Sequence, residues 1–403
     1  MTGRARVGGA LSPGTSGRIE ALDGIRGVAA FIVVVHHSAL LAPAVARAYL
    51  HPGEGHPVVG SAAWWLLETP LHLLIAGQEA VLVFFVLSGI VLTIPASRPG
   101  FDWFAYYPRR VLRLGLPVLG AVVLATAMTL IAPQQLEGDR SEWLSRQLLP
   151  GFVGVQTVRG LDLLAGSYVI DNPLWSLRYE LFFSLLLPLA VLVALAARSR
   201  VGRVIVVGTA LVVAALGWAT EANGFAYLPA FVLGAALVPL VPRMLALHPR
   251  GPARGALLLA WLVAAALYLA YWIAWWFHAA PGGLEGVLRA ASILGSAAIV
   301  ALALLTPVTR SLLSSRLAQW GGRISFSLYL LHVPVIAGLA RMLPAERWYF
   351  APAIGIPASI LLAMLFTRWV EKPSHRLSRA AGIRASSALQ GSVAGGWGGE
   401  RRW

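Results

Sequence analysis

Ten apolar stretches, each long enough to cross a bilayer as a helix, dominate this chain of 403 residues. A helix needs about 20 predominantly apolar residues to span the hydrocarbon core of a membrane. Windows of that length predict spans near residues 22–43, 72–95, 111–132, 174–197, 203–220, 223–242, 255–277, 286–306, 323–343 and 350–370. Backbone amides in hydrocarbon must find partners inside the protein, and a helix satisfies them within one segment. We therefore predict an all-α polytopic membrane protein that has the lipid bilayer as a partner.

The composition supports this class and excludes others. Hydrophobic residues make up 58% of the chain and charged residues only 12%, and the mean hydropathy is +0.73. The net charge of +15 does not indicate nucleic-acid binding, because the arginines lie in short gaps between apolar runs rather than on a basic soluble face. The chain contains no cysteine, which excludes disulfides, thiolate metal sites and a cysteinyl acyl-enzyme. We predict no metal site.

Arginine is concentrated in alternate gaps between the apolar runs. If the N-terminus is cytosolic, the inward segments contain Arg4, Arg6, Arg18, Arg98, Arg109, Arg110, Arg113, Arg198, Arg200, Arg203, Arg243, Arg250, Arg254, Arg310, Arg316, Arg323 and the basic tail from Arg368 onward. The outward segments contain the more widely spread Arg47, Arg140, Arg146, Arg159, Arg289, Arg341 and Arg347. Since loops rich in arginine remain inside, this alternation predicts about ten spans with the N- and C-termini cytoplasmic.

The same pattern divides the chain into three parts. Residues 1–17 form a basic cytoplasmic tail without the apolar core of a signal peptide. Residues 18–380 form the transmembrane domain, and residues 381–403 form a glycine- and serine-rich tail that we predict to be disordered. The longest outward connection, residues 133–173, is acidic and interrupted by glycine. We expect it to be a partly helical cap at the membrane surface.

The first span carries ionisable groups in the stretch DGIRGVAAFIVVVHHS. Arg26 and His37 are 11 residues apart, which at 100° per residue places them within about 20° on one helix face, roughly 16 Å apart along the axis. Asp23 lies near the same stripe, whereas His36 points about 100° away and is expected to be a packing residue. Arg26 alone could reach the lipid headgroups. An ionisable residue inside a span, such as His37, instead predicts a functional site.

Three further polar groups interrupt apolar runs. Arg110 and Arg113 share a face at the start of the third span, where they could bind a phosphate or simply anchor the helix. Glu180 follows Trp175 inside the fourth span, and a carboxylate there is costly unless it is paired or functional. Ser325 and His332 lie two turns apart on one face of the ninth span.

Six short motifs follow one another in the chain, namely LDGIRGVAAFIVVVHH, AVLVFFVLSGIVL, YYPRRVLRLGLPV, NPLWSLRYELFF, ISFSLYLLHVPV and WVEKPSHR. With these motifs in this order the chain resembles acyltransferase family 3 of bacterial membrane O-acyltransferases, over residues 18–380. We expect a stand-alone form without a fused hydrolase-like domain, located in the bacterial plasma membrane.

The resemblance assigns roles to single residues. The family's defining arginine and histidine fall on Arg26 and His37, and its arginine pair falls on Arg110 and Arg113. Its tryptophan-serine-leucine element with a following glutamate falls on Trp175, Ser176, Leu177 and Glu180; its late serine, aromatic and histidine element falls on Ser325, Phe326, Tyr329 and His332. Many members carry an acidic residue two positions before a phenylalanine pair. Leu82 stands there in this chain, and Glu79 is a possible substitute.

These roles imply transfer of an acyl group from cytosolic acyl-CoA, most often acetyl-CoA in this family, to a hydroxyl of a glycan or glycosylated metabolite. Arg26, Arg110 and Arg113, with Ser325 and His332, are then the candidates for binding acyl-CoA. His37 is the candidate general base, since imidazole titrates near neutrality. Glu180, expected near the outer face, would position the acceptor or support the imidazolium. Asp23, Glu79 and Trp175 are the remaining candidates for substrate binding.

Two alternatives from other classes remain open, a transporter and a non-catalytic membrane sensor or partner protein that retains the scaffold. A membrane transporter or exporter of a small polar or glycosylated substrate would also carry charges on a path through the bilayer, although no internal repeat is evident in the sequence. Within the acyltransferase interpretation, direct transfer and a covalent acyl-histidine are both compatible with the residues.

Overall fold

The computed structural model describes residues 19–149, 151–247, 253–277 and 282–396. The α-helices of these ranges are α1 (Glu20–Ala39), α2 (Pro43–Leu50), α3 (Ala62–Leu67), α4 (Gly77–Ala96), α5 (Trp103–Ile131), α6 (Glu142–Ser145), α7 (Val153–Leu161), α8 (Leu174–Leu185), α9 (Leu187–Ala196), α10 (Arg200–Ala219), α11 (Asn223–Leu237), α12 (Val241–Ala246), α13 (Ala253–Tyr268), α14 (Ala270–Trp276), α15 (Glu285–Leu305), α16 (Pro307–Leu313), α17 (Arg316–Met342), α18 (Phe350–Phe366) and α19 (Lys372–Gly396). The described ranges contain no strand. The predicted all-α class is confirmed. The predicted tail at residues 1–17 lies outside the described residues.

Within the described ranges, eight helical segments are long and apolar enough to cross a membrane. They are Glu20–Ala39, Gly77–Ala96, Trp103–Ile131, Arg200–Ala219, Asn223–Ala246, Glu285–Leu305, Arg316–Met342 and Phe350–Ala388. Two bent helix pairs bring the number to ten if each pair is one span. The ten apolar runs of the sequence therefore each correspond to one of these segments or pairs.

The fourth predicted span, residues 174–197, is not one straight helix. The structure divides it into α8 and α9, which meet at an angle of 70°. Pro188 lies in the first turn of α9 and has no amide hydrogen to donate to the carbonyl of Ser184, so one helical hydrogen bond is lost at the bend. That carbonyl instead accepts a hydrogen bond from the hydroxyl of Tyr106 at 3.2 Å. The seventh predicted span, residues 255–277, is likewise divided into α13 and α14, which meet at 75°.

The C-terminal segment also differs from the prediction. A π-helix at Thr367–Glu371 joins α18 to α19, and α19 continues to Gly396. Part of the tail that we predicted to be disordered, residues 381–396, is therefore helical. Gly382 of α19 lies so close to the carbonyl of Ala105 that an added Cβ would be 2.6 Å from its oxygen. Contact with α5 thus stabilises a helix that its own sequence does not predict. Residues 397–403 lie outside the described residues.

The backbones of α1 and α17 touch near their N-terminal ends. A Cβ at Gly322 would lie 2.3 Å from the carbonyl oxygen of Asp23, and a Cβ at Gly27 would lie 2.7 Å from the amide nitrogen of Gly322. Glycine is needed at such positions because any side chain would force the helices apart. This contact fixes the helix that carries Arg26 and His37 against the helix that carries His332.

Replacing Gly322 by alanine should destabilise the protein, because the new methyl group would overlap the Asp23 carbonyl. Overpacking of this kind costs roughly 1–3 kcal/mol. The matched control is Gly115→Ala, since nothing lies within 4 Å of a Cβ there and alanine favours a helix by about 1 kcal/mol over glycine. Thermal unfolding in detergent should give a lower Tm for Gly322→Ala and an unchanged or higher Tm for Gly115→Ala. Equal Tm values would contradict the close contact.

Candidate active site

A row of adjoining cavities follows α1 through the protein. The cavity at one end is lined by Asp23, Arg26, Arg110, Arg113 and Glu180, among others, and we call it the arginine cavity. The cavity at the other end contains both His36 and His37 and has a volume of about 240 Å³; we call it the histidine cavity. Because Arg26 and His37 lie on one stripe of α1, the row follows that stripe.

A middle cavity connects the two ends. It shares Arg26 and Glu180 with the arginine cavity and Val81 and Tyr329 with the histidine cavity. Ser325 also lines it, and the hydroxyl of Ser325 donates to the carbonyl of Gly322 at 2.9 Å. Tyr329 therefore stands at the junction between the part of the row with arginines and the part with histidines.

Arg110 is held in place in the arginine cavity. Its Nη2 donates to Oε1 of Glu180 at 2.5 Å, and its Nε donates to Oγ of Ser184 at 2.8 Å. A buried guanidinium requires such partners, because an unpaired charge in an apolar region is very costly. Arg113, one turn along α5, is exposed and lines the same cavity. The two arginines of the pair thus differ: Arg110 is fixed by protein groups, and Arg113 faces the cavity space.

Two histidines from different helices meet in the histidine cavity. Nδ1 of His37 and Nε2 of His332 are 2.9 Å apart, and Nδ1 of His332 lies 3.0 Å from the carbonyl oxygen of Leu328. A carbonyl only accepts, so Nδ1 of a neutral His332 carries its proton and Nε2 carries a lone pair. Nδ1 of His37 must then donate to that lone pair. This series of hydrogen bonds places the proton of a neutral His37 on Nδ1. Its Nε2 is therefore unprotonated, as a general base requires.

His36 is fastened by different partners. Its Nδ1 donates to the carbonyl of Ile75 at 2.7 Å, and its ring packs edge-on against Tyr49 with centroids 4.8 Å apart. An added Cβ at Gly77 would lie 2.4 Å from the His36 ring. The ring is thus held by contacts with Ile75, Tyr49 and Gly77, although it also forms part of the cavity wall.

Aromatic side chains complete the histidine cavity. The ring of His37 stacks on Trp143 of α6, with centroids 5.4 Å apart. Trp175 packs on Tyr227 at 4.9 Å, and both line the cavity. The hydroxyl of Tyr329 lies 2.7 Å from Oγ of Ser176. Ser176 of the WSL element therefore fixes the tyrosine at the junction.

The sequence profile of the family described as Acyltransferase domain matches residues 19–368. The chain belongs to this acyltransferase family. The matched region contains the residues that line the arginine, middle and histidine cavities. No curated protein and no solved structure matches the chain. Together with the membrane-spanning helices, the family makes this protein a multi-pass membrane acyltransferase.

The structure places two of the candidate carboxylates beside partners on other helices. Glu180, expected near the outer face beside the acceptor or the imidazolium, lines the arginine and middle cavities and pairs with Arg110. Glu79, the possible substitute for an acidic residue at Leu82, is only 1% exposed and accepts a hydrogen bond from Nε1 of Trp272 at 3.1 Å. Its neighbour Gln78, about 100° around the helix, faces the histidine cavity instead.

The other candidates are distributed along the row. Asp23 lines the arginine cavity, Ser325 the middle cavity and Trp175 the histidine cavity. His332, proposed from the sequence to bind acyl-CoA, has an exposed fraction of 0% and contacts His37. Within the described ranges no group of three histidine, aspartate or glutamate side chains could hold a metal ion.

Several residues that line or contact the candidate site were not predicted from the sequence. Ser184, Gln78, Tyr227 and Trp143 carry no local pattern that distinguishes them from ordinary helix or loop residues. Trp143 reaches His37 across 106 residues of chain, and Ser184 reaches Arg110 across 74. Such contacts are set by the packing of helices and have no signal in the local sequence.

Asp171, in the connection before α8, is a buried carboxyl whose effect on stability should depend on pH. The carboxyl is 1% exposed, and neither oxygen has a hydrogen-bond partner among the described residues. Burial raises the pKa of Asp171 well above its ordinary value. As pH rises above about 4, the unfolded chain ionises this group while the folded protein resists, so the free energy of unfolding falls until the folded-state pKa is reached.

Asp171→Asn removes this cost and should raise the Tm at pH 8 by more than at pH 4. The control is exposed Asp162, whose pKa is lowered by hydrogen bonds from the amides of Ala165 and Leu164. Its contribution is present at high pH and lost on acidification, so Asp162→Asn should slightly lower the Tm at pH 8. Thermal unfolding across this pH range measures both. A gain in Asp171→Asn that does not change with pH would contradict the buried, unpaired carboxyl.

Proposed function

We propose that this protein is an O-acyltransferase of the bacterial plasma membrane, which moves an acyl group from acyl-CoA to a hydroxyl of a glycan or glycosylated metabolite. Acetyl-CoA is the first candidate donor. The observation that carries the proposal is the row of cavities, with arginines at one end and a histidine with an available Nε2 at the other. In this proposal both termini are cytoplasmic, so the arginine cavity opens toward the cytosol, where acyl-CoA is found.

The arginine cavity suits the phosphates of acyl-CoA. Arg113 lines it as an exposed guanidinium, and Arg26 lines both this cavity and the middle one. Planar guanidinium groups bind phosphoryl oxygens in a bidentate manner. Arg110 supports this site indirectly, because its pairing with Glu180 keeps a carboxylate from repelling the ligand. From Arg26 to His37 the rise is about 16 Å, comparable in length to an extended pantetheine arm.

The chemistry takes place at His37. Nε2 removes the proton of the acceptor hydroxyl while its oxygen attacks the thioester carbonyl. The carbon–sulfur bond then breaks, and the imidazolium returns the proton to the leaving thiolate. His332 accepts a hydrogen bond from Nδ1 of His37 in both states and so stabilises the imidazolium when it forms. Leu328 holds His332 in the required tautomer. Acylation of the same Nε2, followed by transfer, is the variant with a covalent intermediate.

Replacement of His37 tests the catalytic assignment. His37→Ala should lower acyl transfer by roughly 10²- to 10⁴-fold, the usual contribution of a general base. The neighbouring control is His36→Asn, whose amide can still donate to the Ile75 carbonyl and which should lose much less. Transfer from labelled acetyl-CoA is measured in membranes that contain equal amounts of each variant. Full activity in His37→Ala would refute this histidine as the base.

The assignment of the arginine cavity is tested by binding of CoA. Arg113→Ala removes a guanidinium that faces the cavity, so the Kd for CoA should rise about tenfold, equivalent to about 1.4 kcal/mol. Arg109→Ala is the control, because Arg109 is equally basic but packs toward Gly382 on α19. Titration calorimetry at one fixed salt concentration compares them. Equal Kd values in both variants and the unaltered protein would show that Arg113 does not bind CoA and only anchors the helix.

A further inference from the structure

The wall of the histidine cavity contains one amide among its aromatic rings. Gln78 of α4 lines this cavity together with Tyr49, Trp175, Tyr227 and Tyr329. In the proposed function, acyl-CoA enters from the arginine cavity, so this aromatic end is where the acceptor meets His37. The inference below rests on that proposal and identifies what holds the acceptor.

Gln78 contacts Arg289, an arginine that packs against two aromatic rings. The guanidinium carbon of Arg289 on α15 is 3.6 Å from the ring centroid of Tyr271 and 5.0 Å from that of Trp218. Its Nε also lies 3.4 Å from a carboxylate oxygen of Glu285, one turn away. The side chain of Arg289 is only 13% exposed. Stacking on ring faces fixes the plane of a guanidinium as well as its position, so Arg289 offers its donors in a defined direction.

Arg289 determines how the Gln78 amide is oriented. Nη1 of Arg289 donates to Oε1 of Gln78 at 2.8 Å. The two ends of an amide usually have to be assigned from their partners, and here the partner decides, because a guanidinium can only donate. The oxygen of Gln78 must face Arg289, so its NH₂ group lies on the opposite side. Tyr227 lines the same cavity and accepts a hydrogen bond from Gln78. One hydrogen of the Gln78 NH₂ group is used in this bond, so the other is left for a ligand.

We propose that the Gln78 NH₂ group is a binding donor for an oxygen of the pyranose ring of the proposed acceptor, with Arg289 as its positioning residue. A pyranose has apolar C–H faces, which pack on aromatic rings, and an edge of oxygens, which accept from an amide. The aromatic rings and the oriented amide donor match these two features. A simple aliphatic alcohol has no second oxygen to accept from the remaining N–H of Gln78, and an unsatisfied donor is costly in a buried site.

The decisive variant is Gln78→Glu, which keeps the shape of the side chain but replaces the NH₂ donor by a second acceptor oxygen. Its carboxylate would pair with Arg289, so the fold and the Tm should be maintained. At saturating acetyl-CoA, the KM for a pyranoside acceptor should rise about tenfold, the effect of one lost hydrogen bond in a buried site. The KM for acetyl-CoA should not change. Arg289→Lys, which still donates to Oε1, should resemble the unaltered protein more closely than Arg289→Gln does.

The assay uses methyl pyranosides of glucose, galactose, mannose and N-acetylglucosamine as acceptor probes, in a detergent without a sugar headgroup. Released CoA is measured by a thiol reagent, and the chain contributes no background because it contains no cysteine. An unchanged pyranoside KM in Gln78→Glu would overturn the inference. If no pyranoside stimulates CoA release although acetyl-CoA binds, the inference fails and the donor half of the proposed function stands. If acetyl-CoA does not bind, both fail.

Discussion

The direct contact between the backbones of α1 and α17 is the constraint on which the site depends. Gly27 and Gly322 remove the side chains that would separate the two helices. One helix then presents Arg26 and His37 to the row of cavities, and the other presents Tyr329 to the same row and places His332 against His37. A separation of even one methyl group would lengthen the 2.9 Å contact between the two imidazoles. In the proposed reaction the two glycines therefore set the geometry of the site, although they touch no substrate.

The second constraint is the cost of ionisable groups in an apolar environment. Each such group must be paired, hydrogen-bonded or functional. Arg110 is satisfied by Glu180 and Ser184, and Arg289 by Gln78 and two aromatic rings. These pairs account for much of the charge inside the spans. The contrast identifies Arg113, which is exposed toward a cavity, as the arginine of its pair with capacity for a ligand.

The sequence was sufficient for the features that depend on local periodicity. The ten apolar runs predicted the spans, and the spacing of Arg26 and His37 predicted that both would face one side of α1. The sequence was insufficient where a contact is made between residues that are far apart in the chain. The partner of His37 lies 295 residues away, and the partner of Glu180 lies 70 residues away on another helix. Glu79 and Gln78 are adjacent in sequence, and only the packing of α4 against α14 and α15 determines which of them faces the cavity. The order of α19 beyond residue 380 likewise comes from its contact with α5.

The central claim is that one ligand enters along α1, with its phosphates among the arginines and its sulfur beside His37. A cryo-electron microscopy structure with a thioether analogue of acetyl-CoA, in which the scissile carbonyl is absent, tests this most directly. We expect density for the nucleotide at Arg26 and Arg113, for the arm past Tyr329, and for the sulfur within contact of Nε2 of His37. A nucleotide bound outside the arginine cavity, or an arm that leaves the histidine cavity empty, would contradict it.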